Sequence, residues 1–112
     1  MDFDDYQDAT AATAIYPGAG TGSMAALAYI GLGLGEAGEI QGKLKKILRD
    51  DEGVITAEKR NELAKELGDL QWYVARLSDE LGLALSAVAR GNLDKLASRK
   101  DRGVLQGSGD NR

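Results

Sequence analysis

Two pairs of acidic residues have the spacing that places side chains together on one face of a helix. Glu36 and Glu39 lie in GEAGEIQGKLKKIL, and Glu66 and Asp69 lie in KELGDLQWYV. Helical residues three or four positions apart are neighbours on the surface. If two such pairs faced each other, the only donors around a bound ion would be carboxylate oxygens. Mg²⁺ and Mn²⁺ prefer donors of this kind.

The same spacing also fits an ordinary solvated surface. Glu39 with Lys43, and Asp69 with Tyr73 or Arg76, would then form exposed pairs that each contribute a few tenths of a kcal/mol, roughly. Spacing alone therefore leaves both a metal site and a charged surface open.

The composition restricts the chemistry further, since the chain has neither cysteine nor histidine. This excludes disulfides, zinc–thiolate sites and thiol nucleophiles. It also excludes an imidazole base, a Ser-His-Asp triad and a Glu-x-x-His di-iron site. Any catalysis would depend on carboxylates, lysines, hydroxyl groups and a hard metal ion.

Length and charge predict one globular domain. A chain of 112 residues with 43% hydrophobic residues can form one modest core. The net charge of -4 argues against binding to polymeric nucleic acid. The acidic opening MDFDDYQD does not resemble a signal peptide, and no stretch approaches the ~20 apolar residues of a membrane span. We therefore expect a cytoplasmic protein with no membrane partner.

Periodicity and capping residues predict four helices. Asp4 or Asp5 would cap a first helix that runs to Ile15, and Ser23 would cap a second helix over about residues 24–49. A third helix would start at Thr56 and stop near Leu81, and a fourth would cover residues 83–100 with Gly91 as a candidate interruption. On the third helix, an apolar stripe is expected to face the core: Leu63, Leu67, Leu70, Val74, Leu77 and Leu81.

The fold class that follows is all-α, an antiparallel helical bundle with residues 1–103 as the domain and 104–112 as a flexible C-terminal tail. Such a thin bundle is expected to cover further surface by self-association. Four glycines of the second helix form a seam on one face: Gly31, Gly35, Gly38 and Gly42. Without β-carbons, this seam would admit either a closely packed helix or a ligand.

Aromatic and polar residues outside the acidic pairs are further candidates. Trp72 lies opposite the leucine stripe, where it would stack on a base or, as we favour, be covered by a second subunit. Tyr16, Gln7 and Thr10 are candidates to contact the edge of a base.

Four blocks of sequence, in order, resemble the MazG-like all-α nucleoside triphosphate pyrophosphohydrolases. They are YQDATAATAIYP, GLGLGEAGEIQGKLKKILRD, ELAKELGDLQWYVARLSDELGL and GNLDKLASRKDRG, within residues 6–103. The resemblance implies a helical fold assembled as a homodimer or homotetramer. It also implies hydrolysis of a (deoxy)nucleoside triphosphate to the monophosphate and pyrophosphate with Mg²⁺ or Mn²⁺.

The family signature reads Glu-Glu-x-x-Glu, a spacer, and Glu-x-x-Asp. The resemblance maps its last four acids onto Glu36, Glu39, Glu66 and Asp69, as metal ligands and catalytic residues. Gly35 replaces the first glutamate, which bears on the number of metal ions. The implied substrate contacts are Tyr73, Asn92, Lys95 and Arg99, and we add Lys43 and Lys46 as candidate phosphate ligands.

The resulting hypothesis is an enzyme of nucleotide metabolism. Small proteins of this kind, often phage-borne, either remove noncanonical dNTPs broadly or act on one nucleotide such as dGTP. The glycine-lined approach favours a purine. The alternative hypothesis is a non-catalytic oligomeric helical module.

Overall fold

The computed structural model describes all 112 residues and contains helices without strands, which confirms the all-α class. A short 3₁₀ turn, Ala11–Thr13, follows the first helix. The helix that contains Gly91 is continuous. The α-helices are α1 (Phe3–Thr10), α2 (Met24–Gly33), α3 (Glu36–Asp50), α4 (Ala57–Glu80) and α5 (Leu85–Asp101).

Helix α4 is the centre of the fold, because each of the other four α-helices packs against it. It begins after Thr56, whose hydroxyl oxygen accepts a hydrogen bond from the backbone N–H of Lys59 at 3.2 Å. It ends at Leu81 and Gly82, where Gly82 has a φ of 71°. These bounds agree with those predicted from the sequence.

The bounds predicted for the first helix are wrong at both ends. Asp2 is the N-cap, and it forms a capping box with Asp5 through hydrogen bonds of 2.8 and 3.0 Å. The helix stops at Thr10 and not at Ile15, because the backbone tightens into the 3₁₀ turn there. Three aspartates near this end could serve as a cap, and local sequence does not distinguish them.

Side chains of α1 cap the start of α5. The Gln7 amide donates to the carbonyl of Leu83 at 2.8 Å and accepts from the N–H of Leu85 at 2.9 Å. Asp4 accepts from the backbone N–H and hydroxyl of Ser86 at 3.0 and 2.7 Å. The two elements, distant in sequence, are thereby joined at a helix end that has no capping side chain of its own.

The predicted helix over residues 24–49 is divided into α2 and α3. At the division, Gly35, Ala37 and Gly38 donate to carbonyls three residues earlier, at 3.1, 3.2 and 2.8 Å. This is the tighter 3₁₀ pattern, which interrupts the α-helix without reversing the chain. As a result, Glu36 becomes the first residue of α3.

The prediction that the leucine stripe of α4 faces the core is wrong for half of its residues, whereas Leu63, Leu70 and Leu77 are half-buried and Leu77 packs against the core. Leu67, Val74 and Leu81 are 55%, 36% and 54% exposed. The buried face of this helix carries charges, and Arg76 and Glu80 are only 2% and 7% exposed. Buried charges must be paired and hydrogen-bonded, so their partners determine which face of α4 turns inward.

Those partners lie in the loop that follows the 3₁₀ turn. The Glu80 carboxylate accepts hydrogen bonds from the Tyr16 hydroxyl at 2.5 Å and from the N–H groups of Gly20 and Gly22 at 2.6 and 2.7 Å. Arg76 donates to the Tyr16 hydroxyl at 3.2 Å. Burial raises the pKa of Glu80, but the hydrogen bonds and Arg76 outweigh it, so that the pKa falls below its ordinary 4.5.

The apolar core beside this network is small. It consists of Tyr16, Ala26 and Ile30, with Trp72 packed against it. The Trp72 ring lies edge-on to that of Tyr16, at a centroid distance of 6.3 Å, and its N–H donates to the Thr13 hydroxyl at 2.9 Å. Trp72 is therefore partly buried by its own chain, without a second subunit.

The last residues fold back over the end of α5. Arg99 donates to the carbonyl of Asp110 at 2.6 Å. The Arg112 guanidinium donates to the carbonyls of Val104, Leu105 and Gly109 at 3.1, 3.0 and 2.8 Å. The flexibility of residues 104–112 stays a prediction.

The chain is extended for its length and leaves much apolar surface uncovered. Its radius of gyration is 17.0 Å, against about 13 Å for a compact domain of this size. Only 12 of the 112 residues are buried. None of the helices combines the length and apolar character that a membrane span requires.

We expect Glu80→Gln to lower the free energy of unfolding by about 3 kcal/mol at neutral pH, because it removes the charge opposite Arg76 and leaves buried donors poorly paired. A lowered carboxylate pKa stabilises the fold above the unfolded-state value, and this stabilisation disappears as the pH falls through the folded-state value. The difference from wild type should therefore shrink below roughly pH 4.

Urea unfolding across this pH range tests the expectation. Asp79→Asn is the matched control, because Asp79 also pairs with Arg76, at 3.0 Å, but its side chain is 44% exposed. Its loss should stay below about 1 kcal/mol. Equal losses for the two variants would contradict the assignment.

Candidate active site

Carboxylates from two helices meet where α3 packs on α4. Glu36 comes from the first turn of α3, and Glu66 and Asp69 come from the middle of α4, one turn apart. Carboxylate oxygens of the three residues all lie within 4.8 Å of one another. We call these three residues the acidic cluster.

Glu39, the fourth predicted acid, lies outside the acidic cluster. It is exposed on the first turn of α3, although its charge contributes to the environment of Glu36. Its role as a metal ligand stays a prediction.

The acidic cluster concentrates negative charge in a partly desolvated place. Desolvation, followed by the charges of Glu66, Asp69 and Glu39, raises the pKa of Glu36 above 4.5. Lys43 supplies a nearby positive charge, since its Nζ lies 3.7 Å from Glu66 Oε1. A cation bound among these oxygens would relieve the repulsion between them.

The donor set fits a hard divalent cation. Opposite oxygens around an octahedral Mg²⁺ are about 4.2 Å apart, because each bond is about 2.1 Å long. Neighbouring oxygens around the ion are about 3.0 Å apart, so the three carboxylates, which lie within 4.8 Å of one another, would have to draw closer to bind it together. Asp69 is exposed, which leaves one side open to substrate oxygens.

An aromatic pocket adjoins the acidic cluster. Its volume is about 270 Å³, and it is lined by Glu36, Asp69, Trp72 and Tyr73. The Trp72 and Tyr73 rings are edge-to-face at 5.1 Å. Burial, then the charge of Glu36, raises the pKa of Tyr73. Tyr73 thus lies beside the acids, and the pocket combines two aromatic rings with two carboxylates. The role of Tyr73 as a substrate contact stays a prediction.

One glycine makes this position of Tyr73 possible. A β-carbon on Gly33 would lie 2.1 Å from Cε1 of the Tyr73 ring. In contrast, Gly31, Gly38 and Gly42 of the predicted seam have no neighbouring atom within 4 Å of such a carbon. These three glycines therefore pack closely against nothing in this chain, Gly35 faces only the nearby Leu32 carbonyl oxygen, and the close contact with another helix occurs at Gly33 instead.

Tyr6 is near the site, although the sequence did not single it out as a site residue. Burial and then the negative charge of Asp69 raise the pKa of its hydroxyl. The approach of α1 to α4 is a long-range contact, which residue spacing within one helix does not specify.

The three residues considered as base contacts serve the fold. Gln7 caps α5 and Tyr16 binds Glu80, as described above. The Thr10 hydroxyl donates to the carbonyl of Gln7 at 2.6 Å and accepts from Arg76 at 3.3 Å. Because all three are buried, none is free to contact a base edge.

The predicted phosphate ligands divide into two groups. Lys43 and Lys46 line a small pocket between α3 and α4. Asn92 lines an apolar groove that contains none of the three clustered acids. Lys95 is exposed, and Arg99 is hydrogen-bonded to the carbonyl of Asp110. In this chain, the residues from α5 do not line the pocket of Glu36 and Asp69.

Comparison with known proteins defines the class. Residues 26–104 match the MazG nucleotide pyrophosphohydrolase domain, so the chain belongs to this family of nucleotide pyrophosphohydrolases, which generally depend on divalent metals. It is also 60% identical, over 114 aligned positions that cover the whole of both chains, to "Gene 37 protein" of Mycobacterium phage L5. No solved structure matches.

We expect Gly33→Ala to destabilise the protein by about 1–3 kcal/mol, because the new methyl group overlaps the Tyr73 ring and must displace it. Gly31→Ala is the control, since it makes the same change in the same helix where the space is open. It should stabilise the protein by up to about 1 kcal/mol. Thermal or urea unfolding compares them, and shifts of the same sign would contradict the role given to Gly33.

Proposed function

We propose that this protein hydrolyses a (deoxy)nucleoside triphosphate to the monophosphate and pyrophosphate, using Mg²⁺ or Mn²⁺. Glu36, Glu66 and Asp69 would hold the ion, with Glu39 as a fourth acid. The observation that carries the proposal is the convergence of three carboxylates from two helices beside an aromatic pocket. Membership of the MazG family supports it.

When bound, the divalent ion supplies positive charge that offsets the triphosphate oxygens and lowers the pKa of a coordinated water. The acidic cluster would position this charge, and one of the same glutamates would accept a proton from the attacking water. If the water oxygen bonds to the α-phosphorus, the bridging bond from the α-phosphorus to oxygen breaks and pyrophosphate leaves. If it bonds to the β-phosphorus, the bridging bond from the β-phosphorus breaks, the monophosphate leaves and the water oxygen stays in the pyrophosphate. No covalent enzyme intermediate is needed, in agreement with the lack of cysteine and histidine.

The substrate would lie across the groove between α3 and α4. Trp72 and Tyr73 offer a surface on which a base or sugar packs. We assign Lys43 and Lys46, both on α3, to binding of the substrate phosphates. Asn92, Lys95 and Arg99 remain candidate phosphate or sugar contacts through the family pattern.

The proposed setting is nucleotide metabolism in the cytoplasm of a host cell, in view of the mycobacteriophage relative. The substrate would be a purine nucleotide such as dGTP, or a broad set of dNTPs removed from the pool. The net charge of -4 argues against polymeric nucleic acid.

We also propose that a second copy of the chain covers the apolar groove between α1, α4 and α5. The groove holds about 580 Å³ and is lined by Phe3, Leu67, Leu70, Val74 and Val88, among others. The extended shape and sparse burial show a surface larger than one protomer covers. Either a homodimer or a homotetramer would cover this groove.

Leu67→Asp is expected to shift the protein toward the monomer, because it buries an unpaired charge in that interface. Light scattering with size-exclusion chromatography measures the mass of each species. Ile15→Asp is the control, since Ile15 is 94% exposed and outside the groove. A wild-type monomer, or equal behaviour of the variants, would overturn this part of the proposal.

A panel of NTPs and dNTPs with Mg²⁺ or Mn²⁺, with products resolved as mono- or diphosphate, tests the reaction and the base preference together. We expect Glu66→Gln and Asp69→Asn each to lower kcat/KM by about a hundredfold or more, because each removes an ion ligand. Glu58→Gln is the matched control, because Glu58 is an exposed acid of α4 outside the acidic cluster. Release of monophosphate and pyrophosphate at an undiminished rate would defeat the assignment.

Divalent-ion titration separates the enzyme from a non-catalytic helical module. The enzyme should gain thermal stability with Mg²⁺ or Mn²⁺, and the double variant Glu36→Gln, Asp69→Asn should lose that gain. A module without the site would show no gain.

A further inference from the structure

A second pocket lies between α3 and α4, next to the acidic cluster. It has a volume of about 120 Å³ and is lined by Lys43, Lys46, Ile47, Lys59 and Glu62. This is several times the roughly 30 Å³ that a water molecule occupies. We call it the lysine pocket.

The lysine pocket has more positive charge than its own acids balance. Lys59 pairs with Glu62 at 3.5 Å, and Lys43 faces Glu66 at 3.7 Å. Lys46 has no carboxylate within 4.0 Å. The Lys43 and Lys59 side chains are 33% and 39% exposed, whereas Lys46 lies at the exposed edge of the pocket. Like charges in a partly enclosed space repel, and an anion with several oxygens would relieve that repulsion.

The position of the lysine pocket relates it to the acidic cluster. Lys43 lines the pocket and also approaches Glu66, so one side chain joins the two places. Along α4, Glu62 comes before the clustered acids and Tyr73 comes after them. At 1.5 Å per residue, Glu62 and Tyr73 are separated by about 16 Å along the helix axis. Cationic, acidic and aromatic surfaces thus follow in order along one groove, on the scale of an extended nucleotide.

We propose that the lysine pocket binds the terminal phosphates of the substrate and retains the pyrophosphate product, with Lys59 as a binding residue beside Lys43 and Lys46. The inference rests on the proposed function and adds the orientation in which the substrate lies along the groove. The base lies at Trp72 and Tyr73, the scissile bond lies at the acidic cluster, and the leaving pyrophosphate lies toward the start of α4.

The test is binding of inorganic pyrophosphate to the full chain, measured by calorimetry with and without Mg²⁺. Lys59→Gln and Lys46→Gln should each weaken pyrophosphate binding about tenfold, as expected for loss of a charged hydrogen-bond donor. Lys59→Arg should restore most of the affinity, because it keeps the charge. Binding of a nucleoside monophosphate should be unchanged.

Two matched controls separate a built site from general attraction. Lys45→Gln and Lys65→Gln remove the same charge from exposed positions of α3 and α4 outside the lysine pocket. They should leave pyrophosphate binding within about twofold of wild type, since neither side chain lines the lysine pocket and a charge at a distance from the anion is screened. Circular dichroism should show equal helix content in all variants.

Absence of pyrophosphate binding by the wild-type protein would overturn the inference. So would equal weakening in all four glutamine variants, or weakening of monophosphate binding to the same degree. If pyrophosphate binding depends on Lys46 and Lys59 while no nucleoside triphosphate is hydrolysed, the oxyanion site is supported and the proposed function is overturned.

Discussion

The fold depends on two charges buried at the end of the central helix. Arg76 and Glu80 can leave water only where their hydrogen bonds are satisfied, and the Tyr16 hydroxyl and the amides of Gly20 and Gly22 satisfy most of them. This requirement turns the charged face of α4 toward α1 and toward the loop that contains Gly20 and Gly22. Leu67 and Leu81 of the same helix are consequently left on the outside, where a single chain does not cover them.

The same orientation of α4 assembles the candidate site. With its charged end held, the helix presents Glu66 and Asp69 to the first turn of α3, where Glu36 meets them. The three carboxylates repel one another, and this repulsion adds to desolvation in raising the pKa of Glu36. Bringing like charges together disfavours the fold, and a cation bound among them, as proposed, would offset that effect.

Much of the fold and of the site could be predicted from the sequence where the determinants are local. Thr56 and Gly82 mark the ends of α4 because caps act within one turn. The break near Gly35 was missed because glycine permits both helix and tight turn, and tertiary packing decides between them. Burial of Gln7 was also missed, since its partners Leu83 and Leu85 are far along the chain.

By itself, the sequence determined that Glu66 and Asp69 share a face, because the helical repeat relates side chains three residues apart. Because the chain lacks cysteine and histidine, the sequence also determined that a metal site would have oxygen ligands. Only the tertiary structure decided that Glu36 joins those two acids and that Lys59 turns toward the same groove. The reason is physical: backbone geometry relates neighbours within one helix, whereas the register between helices follows from long-range packing and from the pairing of buried charges.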